Sequence, residues 1–216
     1  MELTARLNDA KYAAFRWRHE LSIPRKLALA LGMAAFTGLV AQIKVVNPLM
    51  PDVPVTGQTF AVLLAGVLMG RWWGGISMAL YAGLGAVGVP WFAGWHSGIS
   101  FTSFGYIIGF VFAALFLGHF TDKYIRSRSF FSMLLLMLFA NFVLIWVPGI
   151  LWRVLWLNLV AGKTASIVGT IAGSVTYIPG DLVKLALAAV IARGITPKKA
   201  FNGEVDKDKW ANWRIP

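Results

Sequence analysis

The sequence predicts an all-α membrane protein, a bundle of six transmembrane helices with both termini in the cytoplasm. Three observations predict it. The 216-residue chain is 58% hydrophobic and only 13% charged, where soluble domains carry roughly 25% charged residues. Between residues 27 and 193 the only carboxylates are Asp52, Asp122 and Asp181, too few to clothe a soluble surface. The basic residues, finally, crowd the two ends and alternate connecting segments, which is a topology signal. The net charge of +11 is therefore read as membrane orientation and not as a nucleic-acid surface.

A spanning helix needs about 20 mostly apolar residues. Hydropathy places six, at roughly 27–46, 58–70, 72–90, 104–120, 130–152 and 176–193. The second is short and meets the third across Gly70-Arg71-Trp72-Trp73-Gly74-Gly75, which predicts a tight helical hairpin. Residues 153–175 either prolong the fifth helix or form a re-entrant loop. Residues 1–26 read as a basic cytoplasmic segment, 27–193 as the six-helix binding domain and 194–216 as a basic cytoplasmic tail. No apolar segment with a small-residue cleavage site opens the chain, so no cleavable signal is expected.

The positive-inside rule supports an even number of spans. Both ends, Arg71, and the Lys123, Arg126 and Arg128 loop together hold 16 of the 20 basic residues, Arg214 included. The opposite side holds only Lys44, Arg153 and Lys163. An odd count would put one basic terminus outside. The outer loops 47–59 and 88–104 are rich in Gly, Pro, hydroxyls and aromatics. Trp91 and Trp95 there fit either a lid over a pocket or an interfacial aromatic belt.

Asp181 and Lys184 are the most informative pair. They lie three residues apart in Tyr177-Ile178-Pro179-Gly180-Asp181-Leu182-Val183-Lys184, a spacing that shares one helical face. Charge inside a membrane is costly and faces the bundle interior when it is kept. Two roles stay open: an ion pair tying helices together, or a ligand site in which the carboxylate accepts N–H groups and the ammonium serves an oxygen. Pro179-Gly180 suits a helix start, where an aspartate is favoured.

Other chemistry finds little footing. The chain has no cysteine, which removes disulfides and thiolate ligands. Gly162-Lys163-Thr164 ends like a phosphate-binding loop, but Leu157 stands where the loop needs its first glycine. His19, His96 and His119 are far apart, so no metal site is expected. Asp122, beside Lys123, reads as a solvated loop charge. No catalytic residue and no cofactor is expected. Ala30 and Ala34 form a small-residue pair on the first helix, suited to close helix contact.

Several segments resemble one family together. Val53-Pro54-Val55-Thr56-Gly57-Gln58-Thr59 is similar to the VP-x-T-x-Q-T segment of BioY proteins, the biotin-binding S components of energy-coupling factor (ECF) transporters. Leu63-Leu64-Ala65-Gly66, Gly70, Leu80-Tyr81 and Gly85-Ala86-Val87-Gly88-Val89-Pro90-Trp91-Phe92-Ala93-Gly94 continue the likeness. Gly105-Tyr106-Ile107-Ile108-Gly109-Phe110 resembles the family's GY-x-x-GF, and Pro179-Gly180-Asp181-Leu182-Val183-Lys184 its PGD-x-x-K. Phe101-Thr102-Ser103-Phe104 departs from the family's Gly-Pro-containing stretch, and Gly57 stands where a bulkier apolar residue is common.

The resemblance implies biotin captured from outside the plasma membrane. Asp181 would accept the ureido N–H groups and Lys184 would meet a carbonyl or carboxylate oxygen. Tyr81, Tyr106 and Phe92 would pack on the apolar part, with Thr56 and Gln58 closing the outer loop. It also implies partners: a transmembrane coupling protein docked on Ala30 and Ala34, and two ATPase subunits that alone use ATP. The alternatives are an S component or solo transporter for another small vitamin, and a membrane enzyme acting on a lipid-linked substrate.

Overall fold

The computed structural model describes residues 2–201 and 203–210. Met1, Asn202 and residues 211–216, with Arg214 of the basic tail, lie outside the described residues. Helix α1 (Glu2–Glu20) is followed by α2 (Ile23–Val40), a β-hairpin of β1 (Lys44–Asn47) and β2 (Met50–Thr56), α3 (Gln58–Ala86), α4 (Phe104–Lys123), α5 (Phe130–Leu159) and α6 (Ile167–Ile195), with a last turn, α7, at Lys207–Trp210. Five of these, α2 to α6, are long and apolar enough to cross a membrane.

The sixth crossing comes from a break in α3. Gly70 has φ of 76° inside the helix, a conformation that favours glycine. The chain folds back there: a Cβ on Gly74 would stand 2.9 Å from the Ala65 carbonyl oxygen and the Gly66 Cα, atoms a continuous helix would hold far away. The halves, 58–69 and 71–86, are about 18 and 24 Å long at 1.5 Å per residue. This is the helical hairpin expected from the glycine-rich junction, and the bundle has six transmembrane helices.

Helix α4 packs along α3 and α5, while α6 closes against α5 and α3. Glycines allow the tight approaches. A Cβ on Gly109 would meet the Leu144 carbonyl at 2.6 Å, and one on Gly149 would enter the Tyr106 ring. Such contacts are the usual means of association in lipid, where burial of apolar surface offers no driving force. The outward faces carry Leu135, Leu155, Val183 and Val190, all largely exposed, as a lipid-facing surface requires.

Several element boundaries differ from the hydropathy reading. The first spanning helix runs 23–40 and not 27–46, starting at Pro24 in its first turn. Residues 44–56 form an antiparallel hairpin with Val45 paired to Val55. Hydropathy cannot tell a β-branched strand from a helix end, but Pro48, Pro51 and Pro54 exclude a helix. The third crossing stops at Ala86, four residues early. Residues 153–175 resolve into an extension of α5 to Leu159, a short connection, and a start of α6 at Ile167.

Both ends of the chain meet at one end of the bundle. Arg18 of α1 donates from Nη1 to the carbonyls of Val67 (2.8 Å) and Leu68 (3.0 Å), which the break at Gly70 leaves without helical partners. It also pairs with Asp122. Asp122 is thus not the solvated charge that its neighbour Lys123 suggested: it binds Arg18 and accepts the Arg71 N–H at 2.9 Å. Arg128 and Glu204 form a second pair at 2.7 Å, with side chains 1% and 0% exposed. The same guanidinium donates to the carbonyls of Thr121, Pro197 and Lys199, fastening the segment after α6 beneath the bundle.

Candidate functional site

At the opposite end the hairpin, the 88–103 loop, α3, α4, α5 and α6 enclose a cavity of about 350 Å³. Small-molecule sites start near this size. Its buried end holds Asp181 and Lys184, whose placement follows from the three-residue spacing in α6, where regular helix resumes at Ile178 after a 3-10 turn at Val175–Tyr177. Lys184 Nζ lies 2.7 Å from Asp181 Oδ1 and donates to the Thr56 carbonyl (3.1 Å) and Thr59 Oγ1 (2.9 Å). Asp181 Oδ2 accepts from Asn141 Nδ2 at 2.8 Å and Trp146 Nε1 at 3.2 Å. The side chains are 6% and 18% exposed, so the pair is fixed and largely desolvated.

Asn141 and Trp146 reach Asp181 because α5 widens to a π-helical segment at Ala140–Ile145. Pro148, lacking an N–H, stands at its end, and Gly109 backs it at close range. Such bulges recur at functional sites because they turn side chains off the regular helical register.

The middle of the cavity is apolar, walled by Phe92, Phe101, Ile107, Phe110, Ile145 and Trp146. Two polar atoms at this end of the bundle are buried with no hydrogen-bond partner: Tyr106 Oη and Asn141 Oδ1. Ser174, near Tyr106, directs its hydroxyl to the Thr170 carbonyl at 2.8 Å. Buried polar groups are nearly always bonded, so unpartnered ones beside a cavity point to a ligand that would supply the partner. The exposed end carries Lys44, His96 and Asp52. Burial works against the charge of Asp52, but hydrogen bonds from Arg153 (2.8 and 2.9 Å) and its positive charge outweigh it and hold the carboxyl below its usual range.

Of the residues singled out in the sequence, Asp181, Lys184, Tyr106, Gln58, Thr56 and Phe92 line this one cavity. Tyr81 does not. It is fully buried behind Gln58, whose Nε2 donates to its hydroxyl at 2.6 Å, and it packs edge-on against Phe92. Trp91 donates its indole N–H to the Tyr81 carbonyl, so it belongs to the wall of the bundle, while Trp95 is exposed with a φ of 61°. Ala30 and Ala34 are also turned inward, both fully buried; the open face of α2 carries Ala28, Gly32 and Ala35 instead. Asn141 and Trp146 escaped the sequence reading, although a lone amide in an apolar span is itself a signal. Nothing in the sequence pairs Asp52 with Arg153. Among the described residues no three His, Asp or Glu side chains group to hold a metal.

Comparison with known proteins bears on the fold and the family. The chain is 42% identical over 160 residues to the probable biotin transporter BioY of Methanothermobacter thermautotrophicus, covering 71% of this chain and all of that protein. It is 28% identical over 177 residues to the biotin transporter BioY of Rhizobium etli, covering 74% and 90%. The fold matches the crystal structure of the S-component for biotin from an ECF-type ABC transporter with a TM-score of 0.68, at 24% identity and covering 80% of this chain and 93% of that one. The model of the BioY family matches residues 11–201, almost the whole described chain from α1 through the segment after α6, and the chain belongs to the BioY family.

Proposed function

We propose that the chain takes up biotin across the plasma membrane as the substrate-capture S component of an ECF-type transporter. The observation that carries this is the cavity's buried end, where a fixed carboxylate–ammonium pair adjoins unpartnered polar atoms and an aromatic sleeve. Biotin offers a ureido ring with two N–H donors and one carbonyl, an apolar bicycle and chain, and a terminal carboxylate. Asp181 Oδ1 holds one donor and can accept another, since a carboxylate has about four acceptor positions. Lys184 and the Tyr106 hydroxyl can donate to the ureido oxygen. Phe92, Phe101 and Phe110 suit the apolar body, and the hairpin with Thr56 and Gln58 covers it.

The termini lie in the cytoplasm in this reading, so the cavity opens outward and the Arg18/Arg128 end faces a partner. The partners are a transmembrane coupling protein and two ATPase subunits. Because Ala30 and Ala34 are buried, the face of α2 left for a membrane partner is the one with Ala28, Gly32 and Ala35. Transport, not catalysis, is the activity: the relatives named are transporters.

Calorimetric titration of the detergent-purified protein with biotin tests the reading, with thiamine and riboflavin as controls. Saturable biotin binding that Asp181→Asn weakens at least tenfold supports it. A hydrogen bond to a charged group contributes about 1.5–3 kcal/mol, and about 1.4 kcal/mol is tenfold in affinity. Binding of a control vitamin in place of biotin would make the chain a transporter for that vitamin.

A further inference from the structure

A second cavity, an open cleft of about 460 Å³, lies beside the first and is lined by Pro51, Asp52, Arg153, Leu157 and residues 163–166, 169 and 170. The two cavities share Pro51 and Asp52. What divides them is therefore the tip of the hairpin, held to α5 by the two bonds from Arg153 to Asp52 and braced by Thr102 Oγ1 donating to the Asp52 carbonyl at 2.9 Å. Arg153 further donates to Thr170 Oγ1 at 3.1 Å.

The charges of the cleft are unbalanced. Arg153 and Lys163 face Asp52 alone, and Asp52 is committed to Arg153. Among the described residues the Lys163 ammonium has no hydrogen-bond or ion-pair partner. The buried end of the central cavity is balanced by contrast, with Asp181 closed on Lys184. Besides Lys184, this end of the molecule carries the basic residues Lys44, Arg153 and Lys163 among the described residues, and the last two line the cleft. An anion entering the cleft meets two cations and a single carboxylate that is already engaged.

We propose that this cleft is a landing site for the carboxylate of the incoming ligand, with Lys163 as its free cation and the Asp52–Arg153 pair as the partition between it and the central cavity. The inference rests on the biotin reading, because the ligand must carry a carboxylate. A carboxylate held by Lys163 lies beside Arg153 and competes with Asp52 for the same two N–H donors. Exchange of one carboxylate for the other frees the hairpin tip and joins the two cavities without leaving the guanidinium unpaired. Charges placed this way raise the association rate and leave the dissociation rate to the inner cavity.

The absence of native cysteine gives a direct test. Lys163→Cys would be modified with a cationic or an anionic methanethiosulfonate, and biotin association and dissociation followed by stopped flow at low and high salt. Val87→Cys, at the same end but outside the cleft and 82% exposed, receives the same reagents as a control. At low salt the association rate at position 163 should fall about fivefold without the cation, the effect of one ion pair near contact in water. It should recover with the cationic adduct, fall further with the anionic one, and converge at high salt. Dissociation should not change. A biotin amide, lacking the carboxylate, should show none of these effects.

Equal association rates for all forms at position 163, an equal response at position 87, or a change confined to dissociation would each overturn the proposal. If the unsubstituted protein binds no biotin, the functional reading fails first and the proposal with it. That outcome is distinct from normal biotin binding that ignores the charge at 163.

Discussion

Replacing Tyr106 by Phe separates what the empty site costs the fold from what it contributes to a ligand. The ring packs against Gly149 and lines the cavity, while its hydroxyl is buried and bonds to nothing. An unsatisfied buried polar group costs about 1–3 kcal/mol. Deleting only the oxygen should therefore stabilise the empty protein by roughly 1 kcal/mol, a rise in Tm of roughly 2–4 °C for a chain of this size. If biotin supplies the missing partner, the same change removes one neutral hydrogen bond, about 0.5–1.5 kcal/mol, and weakens binding about two- to twelvefold. The two effects have opposite signs. Thermal scans of the detergent-solubilised protein with and without biotin, beside calorimetric titration, measure both. A variant that gains stability and keeps full affinity would refute the placement of Tyr106 at the ligand. One that loses stability without biotin would show that the hydroxyl is already bonded.

Other expectations follow from the same geometry. Arg128→Met should destabilise the protein by roughly 3–5 kcal/mol because the buried Glu204 carboxylate would lose its countercharge, and adding Glu204→Leu should restore part of the loss in thermal unfolding. Asp52 titrates below its usual range when folded, so its contribution to stability is present above the ordinary carboxylate pKa of about 4 and is lost only as pH falls through the lower folded value. Arg153→Met should remove that loss from a series of melting curves taken against pH. Gly109→Val would drive a side chain into the Leu144 carbonyl, displace the π-helical segment with Asn141, and lower biotin affinity at least tenfold. Tyr81→Phe removes the acceptor of Gln58 and the bond donated to the Trp91 carbonyl, both behind the cavity wall, and should lower affinity less than Gln58→Leu, as paired titrations would show.

Much of this site was legible in the sequence because membrane helices leave few places for charge. Asp181 and Lys184 stand out in an apolar run, and their spacing fixes a common face whatever the neighbouring helices do. The break at Gly70 was equally readable from its glycines. Contacts across large separations were not. Arg153 reaches a carboxylate 101 positions away, and Arg18 reaches one 104 positions away; neither spacing has any period to betray it. The alanines of α2 carry a related ambiguity. A small-residue pair shows that something packs closely on that face, not whether the neighbour is another chain or the same one.

The ring of Phe15 lies between two guanidiniums, 3.8 Å from that of Arg18 and 4.7 Å from that of Arg128. Each cation is drawn to an aromatic face, an attraction that offsets part of their mutual repulsion while both hold their carboxylates. Beside them, burial and the charge of Arg18 lower the basicity of His19, and burial of Glu204 is outweighed by its bonds to Arg128, so that it stays ionised. Both shifts favour the forms that fit the cluster, a neutral imidazole beside two cations and a charged carboxylate beside its guanidinium. The two carboxylate–guanidinium pairs thus share one aromatic spacer, so a change at either pair is felt by the other and this end of the bundle behaves as a single electrostatic unit.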